Sequence, residues 1–374
     1  MKHVLLATRP ITPPWDEASK NFAYFLGKSI SDHALTLLTT AGTPLVDIPA
    51  TAIQEPLYPS AQFNFRAKRT LFAYLHAQRN AFDITHYLFT PTRLNTGLIR
   101  HFAFPTRGKT LQTIATLRTD LYGPATLKNI LFADAITVYT DATQKKLKAL
   151  GFTNVHHIYP GIDLDQYQPR EKSAAVLETY ALKPDDFLVV YPGEYTRLGA
   201  TDFLVETLIR HFTHPISEPF IFLFACRIKN EADRKKRETI REAFRQAGCL
   251  DRVRFEENQA TINMAEIYNT ADVIVFPVGD LKGKFDVPLI IIEAYASGKP
   301  VILSDLEAFR EFSNEHISVT IPRLQGQPFI EKILYLKHNP EVCQTLGHAA
   351  RAFAQTHFDL RDTARRYAEL YASL

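Results

Sequence analysis

Cysteine is scarce in this chain. Its 374 residues include three, Cys226, Cys249 and Cys343, set far apart. An odd number without Cys-x-x-Cys spacing offers neither a disulfide framework nor a zinc site. A reducing cytoplasm is the simplest compartment for it. Long apolar runs are missing too. The densest, 220–226 and 273–278, fall far short of the roughly 20 residues that cross a bilayer. The apolar stretch at the N-terminus closes on Thr8 and Arg9, is too short for a signal-peptide core, and reads as a strand. These absences predict a cytoplasmic protein without a transmembrane helix. Peripheral attachment at a membrane surface stays open.

Familiar catalytic signatures are lacking as well. There is no Gly-x-Gly-x-x-Gly, no His-Glu-x-x-His, no Gly-x-Ser-x-Gly and no Asp-x-Asp-x-Asp-Gly loop. Gly108-Lys109-Thr110 resembles the end of a phosphate-binding loop, but Ala103 stands where the leading glycine belongs. Asp163-Leu164-Asp165 is an Asp-x-Asp, a pattern common by chance, and it falls in an apparent linker. No metal site is expected.

Excess charge is also missing. Lys plus Arg number 43 and Asp plus Glu 40, a formal +3 that argues against a dedicated nucleic-acid binder. Divided near residue 165, the balance is +6 before and −3 after, and the first part has only two glutamates, Glu17 and Glu55. The plain reading is a solvated basic face. The sharper one is contact with an anionic acceptor or membrane surface.

What the chain does have is alternation. Short apolar runs at 3–7, 34–38, 84–88, 110–115, 135–139, 155–158, 187–191, 220–225, 253–255, 273–276 and 300–303 read as strands buried on both faces. Amphipathic stretches at 18–29, 66–78, 94–101, 123–132, 141–150, 200–212, 231–246, 264–269, 288–296, 331–337, 340–356 and 360–374 read as helices. This is α/β order. Pro160-Gly161 and Pro169 mark a boundary, so two doubly wound domains are predicted, 1–165 and 166–356, facing a central cleft.

Two segments carry chemistry. In 282–302, a lysine-bearing loop precedes a helix near Pro288, and Glu293 interrupts an apolar run from Leu289 to Ala296. A carboxylate there either makes a salt bridge or cap contact, or faces donors such as ribose hydroxyls. The helix N-terminus beside Lys282 and Lys284 suits an anion. In 187–202, a strand runs into Gly193, Arg197 and Gly199 before a helix. Gly193 would permit close approach of a ligand. Arg197 would hold a diphosphate with its planar fork, or make a surface salt bridge.

The order of these motifs resembles glycosyltransferase family 4. Ile158-Tyr159-Pro160-Gly161-Ile162-Asp163 is similar to the family's I-P-N-G-V-D, and the stretch from Gly193 to Gly199 to its G-R-L…K-G loop. Tyr268 through Ala271-Asp272-Val273 to Pro277 resembles Y…A-D-V…P, and Glu293-Ala294 through Gly298-Lys299-Pro300-Val301 resembles E-A-M-A-C-G-K-P-V. The tail, 357–374, resembles the terminal helix that joins the N-terminal domain.

The resemblance implies a GT-B fold and a retaining transfer of a hexose from a nucleotide-diphosphate sugar, with no cofactor and no catalytic metal. The acceptor would be a glycan, a lipid-linked group or a small molecule. By position, Glu293 would bind ribose, and Arg197 the diphosphate with Lys284 as helper. His86 would touch the donor sugar, although a lone histidine at a strand end is also a common core residue. Three places depart from the pattern. Phe285 stands where a first glutamate is usual, with Asp286 beside it as the candidate substitute. The glycine pair of the first loop is replaced by a segment in which Asp16, Ser19 and Lys20 offer polar contacts. Leu88 replaces a second histidine. The alternatives are a GT-B nucleotide-binding scaffold that has lost transfer, and a sugar-nucleotide epimerase.

Overall fold

The computed structural model describes residues 1–13, 15, 17–196, 198–256, 263–281 and 286–374. They divide into two compact units. One comprises Met1–Gly161, Phe285–Val287 and Leu360–Leu374, the other Ile162–Lys284 and Pro288–Asp359.

In the first unit lie β1 (His3–Ala7), α1 (Ala18–Ser29), β2 (Ala34–Thr40), β3 (Ile53–Tyr58), α2 (Phe65–Ala77), β4 (Ile84–Tyr87) and α3 (Arg93–Leu98). A π-helical turn, Ile99–Ala103, continues α3. Then come β5 (Lys109–Ile114), α4 (Pro124–Ile130), β6 (Ala135–Val138), α5 (Asp141–Ala149) and β7 (Val155–His157). The strands form a sheet in the order β3-β2-β1-β4-β5-β6-β7, every pair parallel.

The second unit holds α6 (Ala174–Thr179), β8 (Leu188–Tyr191), α7 (Ala200–Phe212), β9 (Ile221–Phe224), α8 (Glu231–Gln246), β10 (Val253–Phe255), α9 (Met264–Thr270) and β11 (Val273–Phe276). It continues with α10 (Leu289–Ala296), β12 (Val301–Ser304), β13 (Val319–Ile321), α11 (Gly326–His338) and α12 (Pro340–His357). Its sheet runs β10-β9-β8-β11-β12-β13, again parallel throughout. The last helix, α13 (Leu360–Ser373), belongs to the first unit.

Central strands β4, β6, β8, β9, β11 and β12 are buried along their whole length, as expected of strands covered by helices on both faces. Two strands fall outside the sequence expectation, β3 and β13, and both lie at sheet edges. β3 reads Ile-Gln-Glu-Pro-Leu-Tyr, and only Tyr58 is buried. Proline and a charge are what an edge strand tolerates, so the apolar signal is weak there.

The first core is closed by α13. Thr363, Tyr367 and Tyr371 recur every four residues and face the sheet. Tyr367 donates to Thr137 at 3.0 Å, and Thr363 donates to the Tyr159 carbonyl at 3.1 Å. A terminal helix seldom stays ordered without such ties.

In each sheet the winding direction reverses beside the first strand, between β1 and β4 and between β8 and β11. Ligands of doubly wound sheets bind at such a reversal, outside the carboxyl ends of the strands.

Candidate active site

The reversal in the second unit gathers three loops. The loop after β8 carries Gly193 and Thr196, the loop after β9 carries Arg227 and Lys229, and the loop after β11 carries Gly279. They are bound to one another. Gly279 N–H donates to the Leu198 carbonyl at 3.0 Å. Buried Asp233 accepts from the Thr196 hydroxyl at 2.8 Å and from the Lys229 N–H at 3.1 Å. Lys229 also pairs with Glu194 at 2.7 Å. Glu194 follows Gly193 directly, where the family pattern quoted above has arginine.

Glu293 projects from α10 beside α9. The hydroxyl of Tyr268 donates to its Oε2 at 3.0 Å, and Tyr167 makes a second hydrogen bond to it. Burial pushes its pKa up to about 7, against the pull of the two tyrosines and of the Arg227 charge. Burial first, and then the same carboxylate, raise both phenols well above their usual range, so both stay protonated donors. A half-buried carboxylate ringed by donors, next to an exposed guanidinium, can take a further hydroxyl on its remaining lone pairs.

Gly193 is required by its own sheet. A Cβ there would lie 1.9 Å from the ring of Tyr191, which is fully buried and stacked on Phe276. Gly199 has φ +67° and precedes α7, a left-handed position that suits glycine. Arg197 and Lys284 lie outside the described residues, as does Asp16.

The other candidates belong to the first unit. Asp286 accepts from the Thr143 hydroxyl at 2.6 Å and the Leu117 N–H at 3.3 Å, while its own N–H donates to the Ala115 carbonyl at 3.1 Å. Ser19 donates through N–H and hydroxyl to Glu17, which caps α1, and Lys20 is buried in the first turn of that helix. In the second unit, Asp163 accepts from the N–H groups of Asp165 and Gln166 at 3.0 Å each, so the Asp-x-Asp forms a local turn.

His86 corrects the sequence expectation. It is fully buried, with Nδ1 bonded to the Tyr371 hydroxyl and Nε2 to the Thr113 hydroxyl, each at 2.7 Å. Tyr367 stacks on the ring at 5.5 Å. Burial drives its pKa down to about 3. Of the two roles the sequence left open, donor-sugar contact or a core residue, this geometry is the second: the ring clamps α13 to β4 and β5, and both its nitrogens are engaged. Sequence reasoning also missed Tyr167 and Arg227 as partners of Glu293. Tyr268 was visible only as part of a motif.

With this geometry in view, the comparisons with known proteins are specific. Residues 187–339 match the family described as Glycosyl transferases group 1. The chain is 24% identical over 217 residues to a D-inositol 3-phosphate glycosyltransferase of Streptomyces bingchenggensis, covering 58% of this chain and 47% of that protein. It is 28% identical over 145 residues to the Mycobacteroides abscessus enzyme of the same name, covering 39% of this chain and 30% of that one. The matched regions thus span half or less of these relatives' length. Among solved structures, Anabaena HepE in complex with UDP superposes with a TM-score of 0.76 at 16% identity over the whole of both chains. Sucrose-phosphate synthase from Thermosynechococcus elongatus gives 0.76 at 18%, covering 100% of this chain and 99% of that one. The fold is GT-B. The match to the group 1 glycosyltransferases lies almost entirely within the second unit.

Proposed function

We propose that this protein is a retaining glycosyltransferase. It moves a hexose from a nucleotide-diphosphate sugar to a hydroxyl of a glycan, lipid-linked or small-molecule acceptor. The observation that carries the reading is Glu293, desolvated and ringed by tyrosine donors, inside the segment that matches the group 1 family. Its carboxylate accepts from the ribose. The diphosphate is held by Arg197 and Lys284, and Arg227 adds charge beside the carboxylate. Cations aimed at the departing diphosphate stabilise the charge that develops in the transition state. HepE, which is similar in fold, has been seen with UDP-glucose, and that supports a nucleotide-sugar donor. This reading requires no covalent nucleophile from the protein. The leaving phosphate assists removal of the acceptor proton. No helix among the described residues is long and apolar enough to cross a membrane. The basic first part of the chain suits an anionic acceptor or peripheral contact with a membrane surface.

A nucleotide-binding scaffold without transfer is the second reading. It is favoured by Glu194 in the arginine place, by the engaged carboxylate of Asp286 and by the buried His86. A donor screen with mass spectrometry of products separates the two. Transfer or slow donor hydrolysis with one nucleotide-sugar supports the enzyme. Nucleotide binding without turnover of any sugar supports the scaffold. NMR of the new anomeric linkage tests retention, and an inverted product would contradict it.

A further inference from the structure

We propose that the first unit docks on an anionic membrane through the face made by α3, its π-helical extension and the adjoining side of α2. Leu94, Leu98 and Phe102 are spaced four residues apart, and their side chains are 74%, 38% and 57% exposed. On the opposite side of the same segment, Thr96, Ile99 and Ala103 are buried. In a plain α-helix each four-residue step advances by about 40°, so a stripe would drift around the axis. The wider π turn offsets that drift and brings Phe102 back towards Leu94. α2 lies alongside. The Phe72 ring meets the Phe102 ring edge-on at 6.4 Å, and His76 donates to the Phe102 carbonyl.

The charge around this stripe is mainly of one sign. Residues 60–118 contain nine Lys and Arg and one acid, Asp83, whose carboxylate accepts the His3 N–H; two of the nine are paired beyond that stretch, Arg118 with Asp120 and Lys109 with Asp134. Arg93 and Arg100, within the stripe segment, donate to the Thr126 hydroxyl and the Asn129 carbonyl, both neutral oxygens. Their charge is therefore uncompensated by those bonds. A bilayer interface satisfies both features, because acyl chains accept the apolar side chains and anionic headgroups meet the arginines. A nucleic-acid backbone would use the arginines and leave leucine and phenylalanine in water. A second copy of this face would bring like charges together.

The proposal rests on the membrane part of the function proposed above. Vesicle binding is read without donor or acceptor, so its failure leaves the transfer reading intact. The test is co-sedimentation of the full chain with phosphatidylglycerol–phosphatidylcholine vesicles and with pure phosphatidylcholine vesicles at low and high salt. The protein should pellet with the anionic vesicles at low salt and be released as salt screens the headgroups. Leu94→Ser combined with Phe102→Ser should weaken binding at least about tenfold. Arg93→Gln and Arg100→Gln should each weaken it about fivefold. All four positions are exposed, and an unchanged melting temperature confirms that the fold survives. No pelleting at low salt overturns the proposal, as does equal pelleting of the Leu94/Phe102 variant. A dimer that these substitutions abolish, without vesicle binding, also overturns it.

Discussion

The hydroxyl of Tyr268 donates to Oε2 of Glu293 across 3.0 Å, and this bond holds back the rise in the carboxyl pKa that burial causes. Tyr268→Phe removes one donor from the ionised form. The pKa of Glu293 should then climb above about 7. If the ionised carboxylate receives the ribose, nucleotide affinity strengthens as pH rises through that value. The midpoint of that rise should move upward in Tyr268→Phe. Calorimetric titration of nucleoside diphosphate from pH 5.5 to 9 measures it, and an unmoved midpoint would detach Tyr268 from the site.

The same shift sets a stability trend. Glu293 has a pKa raised from 4.5 to about 7 in the folded chain, so folding favours its neutral form. Its contribution is fully present below about pH 4.5 and is lost as pH rises through about 7. Glu293→Gln keeps the shape and removes the charge. Its melting temperature relative to wild type should therefore be higher at pH 8.5 than at pH 5. A parallel pH dependence in the two proteins would show that the carboxylate is not desolvated.

His86 gives the opposite trend. Its folded pKa of about 3 lies below the unfolded value of 6.5, so folding favours the neutral ring. Stability from this group is present above about 6.5 and declines towards pH 3 at up to about 1.4 kcal/mol per pH unit. His86→Gln should flatten that acid slope. It should also lower stability at pH 7.5 by about 1–3 kcal/mol, because the Tyr371 and Thr113 hydroxyls lose well-placed partners. Nucleotide affinity should stay near wild type, since those partners all lie in the first unit. Urea melts at several pH values test the slope, and a sharp loss of nucleotide binding with intact stability would restore the ligand-facing role.

Gly193→Ala should cost about 1–3 kcal/mol, because the new methyl overlaps the fully buried Tyr191 ring. A melting temperature equal to wild type would show that the loop relaxes freely.

Much of the fold was legible because central parallel strands are continuous apolar runs. β8 (Leu-Val-Val-Tyr) and β11 (Val-Ile-Val-Phe) announce themselves. The edge strand β3 did not, since one side of it meets water and it carries Glu55 and Pro56. Glu293 stood out as a charge inside an apolar helix. Its partners did not, because Tyr167, Arg227 and Tyr268 come from three separate segments brought together by strand order. His86 misled for a related reason. The phenol that satisfies its Nδ1 belongs to Tyr371, 285 residues away, and a strand-end histidine looks the same in sequence whether it meets ligand or a distant helix.

The most direct measurement is titration calorimetry of UDP, GDP and ADP into wild type and Glu293→Ala at pH 8. The account predicts one-to-one binding of at least one diphosphate to wild type. It also predicts affinity lower by about 10- to 100-fold in the variant, the worth of a hydrogen bond to a charged group. Equal affinity in the two proteins, or no binding of any nucleoside diphosphate to wild type, would contradict it.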